Sequence, residues 1–374
     1  MVLLDYLKWR NDVSFDVAEF NDIDNVILSC LAYIDFSEYF ANFDDSYTLE
    51  EIFELFCKNH SLDEIRESKQ FTERVALLLE EMVQADRFKG TKALYYAEDL
   101  DKEKIKQFAA VTFILPDGTN YISFRGTDST IIGWKEDFLM TFMADTEGAK
   151  EAVKYLNEVS KLLEGELIVG GHSKGGNFAM FASSFCDKVV QDRISRVYNN
   201  DGPGFRDEVI ESTGYKEILP KICTIVPQTS MIGQLLANES EQKVIESDAI
   251  GLYQHDAMTW KVKKDSFVEA ELDAFGNFVD VALGSWLEKI DDETRLSIVS
   301  TVFSMIEETE AETFYEFSDS LFKNSAIIIK GLVKLPKEKR IELMTSLGSL
   351  VKVSGKTAFD RIPKPTDKLR LEKQ

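Results

Sequence analysis

The stretch Glu166 to Asn177, ELIVGGHSKGGN, constrains the fold more than any other part of the chain. A short apolar run, Leu167-Ile168-Val169, leads through Gly170 and Gly171 to His172, Ser173 and Lys174. The chain then turns at Gly175 and Gly176 into Asn177-Phe178-Ala179-Met180-Phe181-Ala182, which reads as a helix. Within it, Gly171-His172-Ser173-Lys174-Gly175 fits the G-x-S-x-G pattern of a strand-to-helix corner that presents a serine nucleophile. Small neighbours are needed there because a Cβ would collide with the adjoining strand or helix, and the serine itself adopts a strained backbone. The helix that follows aims its N-terminal N–H groups at the corner, where they can hold an oxyanion. A pentapeptide of this kind also occurs in ordinary Gly-rich turns, so the rest of the chain has to supply a base, an acid and a second donor.

Length and charge bound what that corner can belong to. With 374 residues the chain can bury a large core across two or three structural units. Its net charge of −23 opposes nucleic-acid binding, since the phosphate backbone would be repelled. The same charge disfavours an anionic membrane surface. Residues 352–374 depart from this balance, with seven Lys or Arg against three acids, and read as a solvated basic tail. The start, Met1-Val2-Leu3-Leu4-Asp5, lacks the basic flank and long apolar run of a signal peptide, and no apolar stretch is long enough for a transmembrane segment. Cys30, Cys57, Cys186 and Cys223 are scattered and read as free thiols, so a cytoplasmic location is expected. With three histidines, none next to a cysteine or another histidine, neither a metal nor any other cofactor is expected.

Residues 1–90 read as a helical segment packing on the core, with a buried helix over Asn25 to Ile34 and amphipathic helices over Leu49 to Cys57 and Thr72 to Val83. This segment carries no chemistry that its residue pattern names. From about residue 91 the pattern changes. Ala93 to Ala97, Phe108 to Leu115 and Asn120 to Phe124 read as strands, the last two joined by a tight turn at Pro116 and Gly118. Ile131 to Met140 reads as a helix or lid-like loop, and Thr146 to Leu163 as an amphipathic helix stopped by Gly165. After the elbow, strands at Arg193 to Tyr198, Lys221 to Pro227 and Lys243 to Asp248 are expected. Strands alternating with helices make an α/β core over residues 91–262, with a mainly parallel sheet covered on both faces. Residues 263–374 read as a C-terminal helical region, with helices over Phe267 to Ile290, Arg295 to Ile306, Phe314 to Leu335 and Lys337 to Val351.

In such sheets functional loops lie at the carboxyl ends of strands, and Ser173, Asp201 and His255 each follow a strand. A serine nucleophile needs a base and a group that orients the base. His172 precedes the serine and should point away from its hydroxyl, and His60 lies in a loop of the helical segment, which leaves His255 as the base. The acid is open among Asp201, Asp248 and Asp256; Asp201 is favoured because it keeps the chain order Ser, Asp, His. The oxyanion donors expected are the backbone N–H of Lys174 and that of Thr127, in the loop Phe124-Arg125-Gly126-Thr127-Asp128, with the Thr127 hydroxyl as a further donor. Arg125 reads as structural, holding that loop by ion pairs.

Phe124-Arg125-Gly126-Thr127, followed by Trp134 and Asp137 and then by Gly-His-Ser-Lys-Gly-Gly from Gly171, resembles the class 3 lipase branch of the α/β-hydrolases. With Asp201-Gly-Pro-Gly-Phe205 and Gln254-His255-Asp256 included, it resembles a bacterial family of lipase-like proteins within that branch. The lipase-like similarity covers roughly residues 91–260, and the wider resemblance takes in the N-terminal helices through Trp9-Arg-Asn-Asp12 and Phe20-Asn-Asp-Ile-Asp24. The resemblance implies an α/β-hydrolase fold and a serine hydrolase acting on a small acyl ester or lipid-like substrate. Two departures stand out. Class 3 lipases usually carry an apolar residue where Lys174 stands, and place their acid in a segment corresponding to Val226-Pro-Gln-Thr-Ser-Met231, which here has no carboxylate. A scaffold that binds an acyl ligand or protein partner without turnover is therefore the alternative, and ester, thioester and amide cleavage are not separable at this level.

Overall fold

Successive side chains of the strand Lys106–Ile114 point into two different cores, and that alternation organises the molecule. Phe108 and Ala110 join one apolar cluster, while Ala109, Val111 and Phe113 join the other. A strand buried on both faces lies inside a helix–sheet–helix sandwich. The computed structural model describes residues 1–101, 103–128, 131–139, 145–230, 232–273 and 292–307, with isolated positions beyond. Met1–Leu272 forms one compact unit and Asp273–Gln374 a second.

The first unit begins with α1 (Leu3–Arg10), α2 (Asp22–Leu31), β1 (Ser46–Thr48), α3 (Leu49–Asn59), α4 (Leu62–Glu67), α5 (Phe71–Arg74) and α6 (Ala76–Met82). Three strands follow: β2 (Lys92–Asp101), β3 (Lys106–Ile114) and β4 (Asn120–Phe124). Then come α7 (Ile131–Leu139), α8 (Glu147–Val159), β5 (Leu167–His172), α9 (Lys174–Phe185), α10 (Lys188–Arg193) and β6 (Ile194–Asn200). The unit closes with α11 (Asp207–Ile210), α12 (Thr213–Ile218), β7 (Ile222–Pro227), β8 (Glu241–Ile245) and a hairpin of β9 (Val262–Lys263) and β10 (Ser266–Phe267). Strands β1 to β8 lie side by side in sequence order. Pairing is antiparallel from β1 to β4 and parallel from β4 to β8. Since β4 to β8 run the same way, the loops after β4, β5, β6 and β8 leave from one edge of the sheet.

The helices start where their sequences allow it. Asn21 caps α2 by accepting from the Ile23 and Asp24 N–H groups, and Asp24 returns the bond to the Asn21 N–H. Thr48 and Glu51 make the same reciprocal pair at α3, and Thr146 caps α8. Helix α2 is buried on all sides and bound to the sheet by polar side chains as well as by packing. Asn25 donates to Asn200 at 2.9 Å, Asn200 donates to Ser29 at 2.9 Å, and the Tyr121 hydroxyl lies 2.7 Å from Asn25 Oδ1. Arg87, fully buried, ties the same helix to the chain between α1 and α2, bonding the Asp24 carboxylate and the Val13, Ala18 and Glu19 carbonyls.

Several expectations change. The N-terminal segment is not wholly helical: Ser46–Thr48 pairs antiparallel with Lys92–Leu94 as an edge strand. The helix expected over Thr72 to Val83 is broken between α5 and α6. A helix does not begin at Phe267. The chain reverses at Lys264, whose φ is +60, and Phe267 pairs with Val262; Val268 and Ala270 then bond to the backbone of Glu246 and Val244. A left-handed residue followed by strand pairing cannot continue a helix. The remainder of that expected helix, residues 274–290, those over Phe314 to Leu335 and most of Lys337 to Val351, and the basic tail lie outside the described residues. In the second unit, helix α13 (Asp292–Glu307) takes in the helix expected over Arg295 to Ile306. Among the described residues no helix is long and apolar enough to cross a membrane.

Candidate active site

Strand β5 delivers Ser173 to the carboxyl edge of the sheet, and α9 starts at the next residue. Ser173 has φ +58 and ψ −132, a strained conformation for a residue with a side chain. The structure holds it there: the Ser173 N–H bonds the Asn200 carbonyl at 2.9 Å, and its own carbonyl caps Gly176 at 2.9 Å. A Cβ on Gly175 would fall 2.1 Å from the Phe124 carbonyl oxygen, so only glycine lets α9 lie this close to β4. Ser173 is 9% exposed, open enough to be reached and otherwise enclosed.

His255 ends a short 3-10 turn, Gly251–His255, and its Nε2 lies 2.9 Å from Ser173 Oγ. Its Nδ1 lies 2.7 Å from Asp201 Oδ2. Asp201 follows β6, is fully buried and has φ +53, and its other oxygen accepts from the Ser230 hydroxyl and the Gly233 N–H. A carboxylate facing Nδ1 fixes the ring proton on that side, leaving Nε2 with a lone pair toward Ser173. Of the three carboxylates considered from sequence, Asp201 is the one in contact with His255 among the described residues. Asp248 pairs with Lys261 at 3.2 Å, and Asp256 pairs with Arg74 and caps the Met258 N–H. The segment after β7, which carries no acid, contributes Ser230, a donor to the acid that β6 supplies.

The loop after β4 packs directly against the elbow. A Cβ on Gly126 would stand 3.1 Å from Ser173 Cβ and 2.4 Å from the His172 carbonyl oxygen. The Thr127 hydroxyl is already engaged: it lies 2.7 Å from both oxygens of Asp137, whose carboxylate takes its single proton. The expectation of the Thr127 hydroxyl as an oxyanion donor is therefore corrected, and the candidate donors are the backbone N–H groups of Thr127 and Lys174. Lys174 opens α9, where the first N–H groups have no partner within the helix. Arg125 holds this loop through Glu98 at 2.7 Å.

The Lys174 side chain turns inward. Only 1% exposed, its ammonium lies 3.0 Å from both Gln107 Oε1 and Glu136 Oε2, with Asp137 Oδ1 at 3.8 Å. Glu136 is fully buried and also accepts from the Gln107 and Gly148 N–H groups at 2.9 and 3.0 Å. Helix α7 thus places two adjacent carboxylates, one on Lys174 and one on Thr127. Desolvation pushes the Asp137 carboxyl up to about 6, with Lys174 and the Thr127 hydroxyl opposing the rise. Between about pH 4 and 6 the folded state then holds a proton that the unfolded chain has lost, so Asp137 erodes stability as pH rises through that window. Asp137→Asn is expected to gain on the wild type by about 2 kcal/mol between pH 4 and 7 in chemical denaturation, allowing for a side chain 27% exposed. A stability difference that stays constant across that range would count against this account.

One contributor is invisible to motif reading. Tyr33, at the end of α2, reaches the elbow: its hydroxyl lies 3.1 Å from His172 Nδ1 and 3.3 Å from the His172 carbonyl. The Tyr33 ring also lines a cavity of about 450 Å³ within the N-terminal segment. His172 Nε2 in turn lies 2.8 Å from the His255 carbonyl oxygen. Burial holds the His172 imidazole well below its usual range, with the nearby His255 adding to the effect, so His172 is neutral. The one available signal is Tyr33 itself, a hydroxyl just past the end of a buried helix that has to find a partner.

Sheet, elbow and the loop after β4 together make a hydrolase-like scaffold. The chain belongs to the Mbeg1-like family, whose model matches residues 82–304. A solved structure, the crystal structure of M37 lipase, is 14% identical, with 62% of this chain and 77% of that chain covered and a TM-score of 0.35, a likeness too slight to bear on activity. No curated protein matches the sequence.

Proposed function

We propose that this protein is a serine hydrolase with an α/β-hydrolase fold that cleaves a carboxylic ester or related acyl compound. The observation that carries the reading is the unbroken series Ser173 Oγ, His255, Asp201, with contacts of 2.9 and 2.7 Å, on a strained elbow at a sheet edge. In the first half-reaction His255 Nε2 takes the Ser173 proton as Oγ attacks the acyl carbon. The carbonyl oxygen becomes an oxyanion held by the Lys174 and Thr127 backbone N–H groups. As the tetrahedral intermediate collapses, His255 gives the proton to the departing alcohol and an acyl-Ser173 ester remains. Water then attacks that ester with His255 again as base, releasing the carboxylic acid and free Ser173. Asp201 stays ionised throughout and stabilises the imidazolium. The reaction needs no cofactor. Four free cysteines fit a cytoplasmic setting for it. The alternative of a non-hydrolytic scaffold drew on the missing acid after β7, and the Asp201–His255 contact weighs against it.

A fluorophosphonate reporter phosphonylates an activated serine and is expected to label the wild-type protein at Ser173, with Ser173→Ala unlabelled. Absence of labelling in the folded wild type would overturn the reading.

A further inference from the structure

His255 ends a turn that follows residues as exposed as Ile250 at 86% and carries Tyr253 at 81%, yet its ring must hold two short contacts at once. A base on such a turn needs an anchor for its backbone. The anchor is His172, which residues 1–90 hold in turn through Tyr33 and Phe71. His172 Nε2 lies 2.8 Å from the His255 carbonyl oxygen, and the two imidazoles lie tilted against each other with centroids 4.7 Å apart and planes 33° apart. A carbonyl can only accept, so this contact requires the Nε2–H tautomer of a neutral His172, which leaves a lone pair on Nδ1. The Tyr33 hydroxyl stands 3.1 Å from that Nδ1 and 3.3 Å from the His172 carbonyl oxygen, and can donate its proton to the nearer of the two. If Nδ1 carried the proton instead, Nε2 would turn a lone pair onto the carbonyl oxygen and the contact would become repulsive. Phe71 of α5 packs on both rings, 5.0 Å from Tyr33 and 5.2 Å from His172. Arg74, three residues on, ion-pairs with Asp256, the residue after the base.

We propose that Tyr33 is a positioning residue for His255: by donating to His172 Nδ1 it sets the tautomer whose Nε2–H holds the His255 backbone, with Arg74 fixing the adjacent residue. The N-terminal segment is then part of the machinery and more than a cover for the sheet. The inference rests on the hydrolase reading for its kinetic consequence, and on the tautomer alone for its structural content. His172 touches neither the substrate nor the Ser173 hydroxyl in this scheme. It acts through the backbone of the base, as shells around reactive groups commonly do.

Two measurements on the full chain separate the outcomes. With only three histidines in the sequence, ¹⁵N-histidine NMR resolves each ring. The wild type is expected to show His172 neutral and protonated at Nε2, and Tyr33→Phe to shift it toward the Nδ1–H form. A wild-type His172 protonated at Nδ1, or a tautomer indifferent to Tyr33→Phe, overturns the inference whether or not the protein is a hydrolase. The second measurement is the rate of fluorophosphonate labelling, together with kcat and KM on a p-nitrophenyl ester. Tyr33→Phe is expected to slow labelling and kcat about tenfold with KM little changed, the signature of a displaced base. His172→Gln, which keeps an N–H near the Nε2 position, should retain more activity than His172→Leu. Equal loss in those two variants, or a full labelling rate in Tyr33→Phe, counts against it. Wild type that shows the expected tautomer and no labelling sinks the hydrolase reading and leaves the Tyr33 contact standing.

Discussion

Asp201→Asn is expected to lower turnover on an activated ester by about 10⁴-fold while leaving the fold intact. The reasoning starts at the two oxygens. Oδ1 accepts from Ser230 and the Gly233 N–H, and an asparagine carbonyl placed there keeps both bonds. The amide NH₂ then occupies the Oδ2 position and faces His255 Nδ1. A donor facing Nδ1 forces the ring proton to Nε2, so His255 offers Ser173 an N–H where a lone pair is needed. Nucleophile, base and packing all survive, and only the tautomer is wrong. Asp248→Asn is the internal control, since that residue is 59% exposed, pairs with Lys261 and should leave turnover unchanged. Matching circular dichroism spectra with the expected loss only at position 201 support the assignment. Near-wild-type turnover in Asp201→Asn would remove Asp201 from the role.

What the sequence discloses and what it hides follow from how far each constraint reaches along the chain. The elbow is legible because the backbone strain at Ser173 is relieved by its immediate neighbours, so the glycines must stand within a few residues of it. His255 is legible by elimination among three histidines, and the Asp201 contact agrees with strand order. Strands β3, β4 and β7 are legible because both their faces are buried and they read as largely apolar runs. Pairings that close over long separations leave no local mark. Tyr33 and His172 are 139 positions apart and Arg74 and Asp256 are 182 apart, and a lone tyrosine or arginine on a helix names no partner. Strand β1 is three residues long and exists because β2 offers an edge. The expected helix at Phe267 fails for a related reason: its apolar spacing suits a helix, but the turn at Lys264 returns the chain to pair beside Val244 and Glu246.

Removing either partner of the buried pair Lys174–Glu136 is expected to cost about 3–5 kcal/mol of stability. Both groups are almost wholly enclosed, at 1% and 0% exposure, so neither can recover solvation when the other is lost. The two deletions are not equivalent. In Lys174→Met the Glu136 carboxylate keeps the Gln107 and Gly148 N–H donors, while in Glu136→Gln the ammonium keeps the Gln107 amide and Asp137 at 3.8 Å. The double variant Lys174→Met/Glu136→Gln removes both charges, and its amide oxygen keeps one of the two backbone donors, since the Gln107 and Gly148 N–H groups bond different oxygens of the carboxylate. It should therefore be more stable than the sum of the single losses allows, with a coupling of several kcal/mol in a double-mutant cycle from chemical denaturation. The position also matters for chemistry, because the backbone N–H of the same Lys174 is a proposed oxyanion donor. Its side chain anchors the first turn of α9 to Gln107 of β3 and to α7, which in turn holds Thr127 through Asp137. An apolar residue at this position would pack α9 without binding it to α7. The charged pair thus joins the elements that carry the two candidate donors, and the single variants should lose kcat as well as stability, with the double variant recovering stability but not kcat. Single variants within 1 kcal/mol of the wild type would show that the pair neither stabilises the fold nor links the two loops.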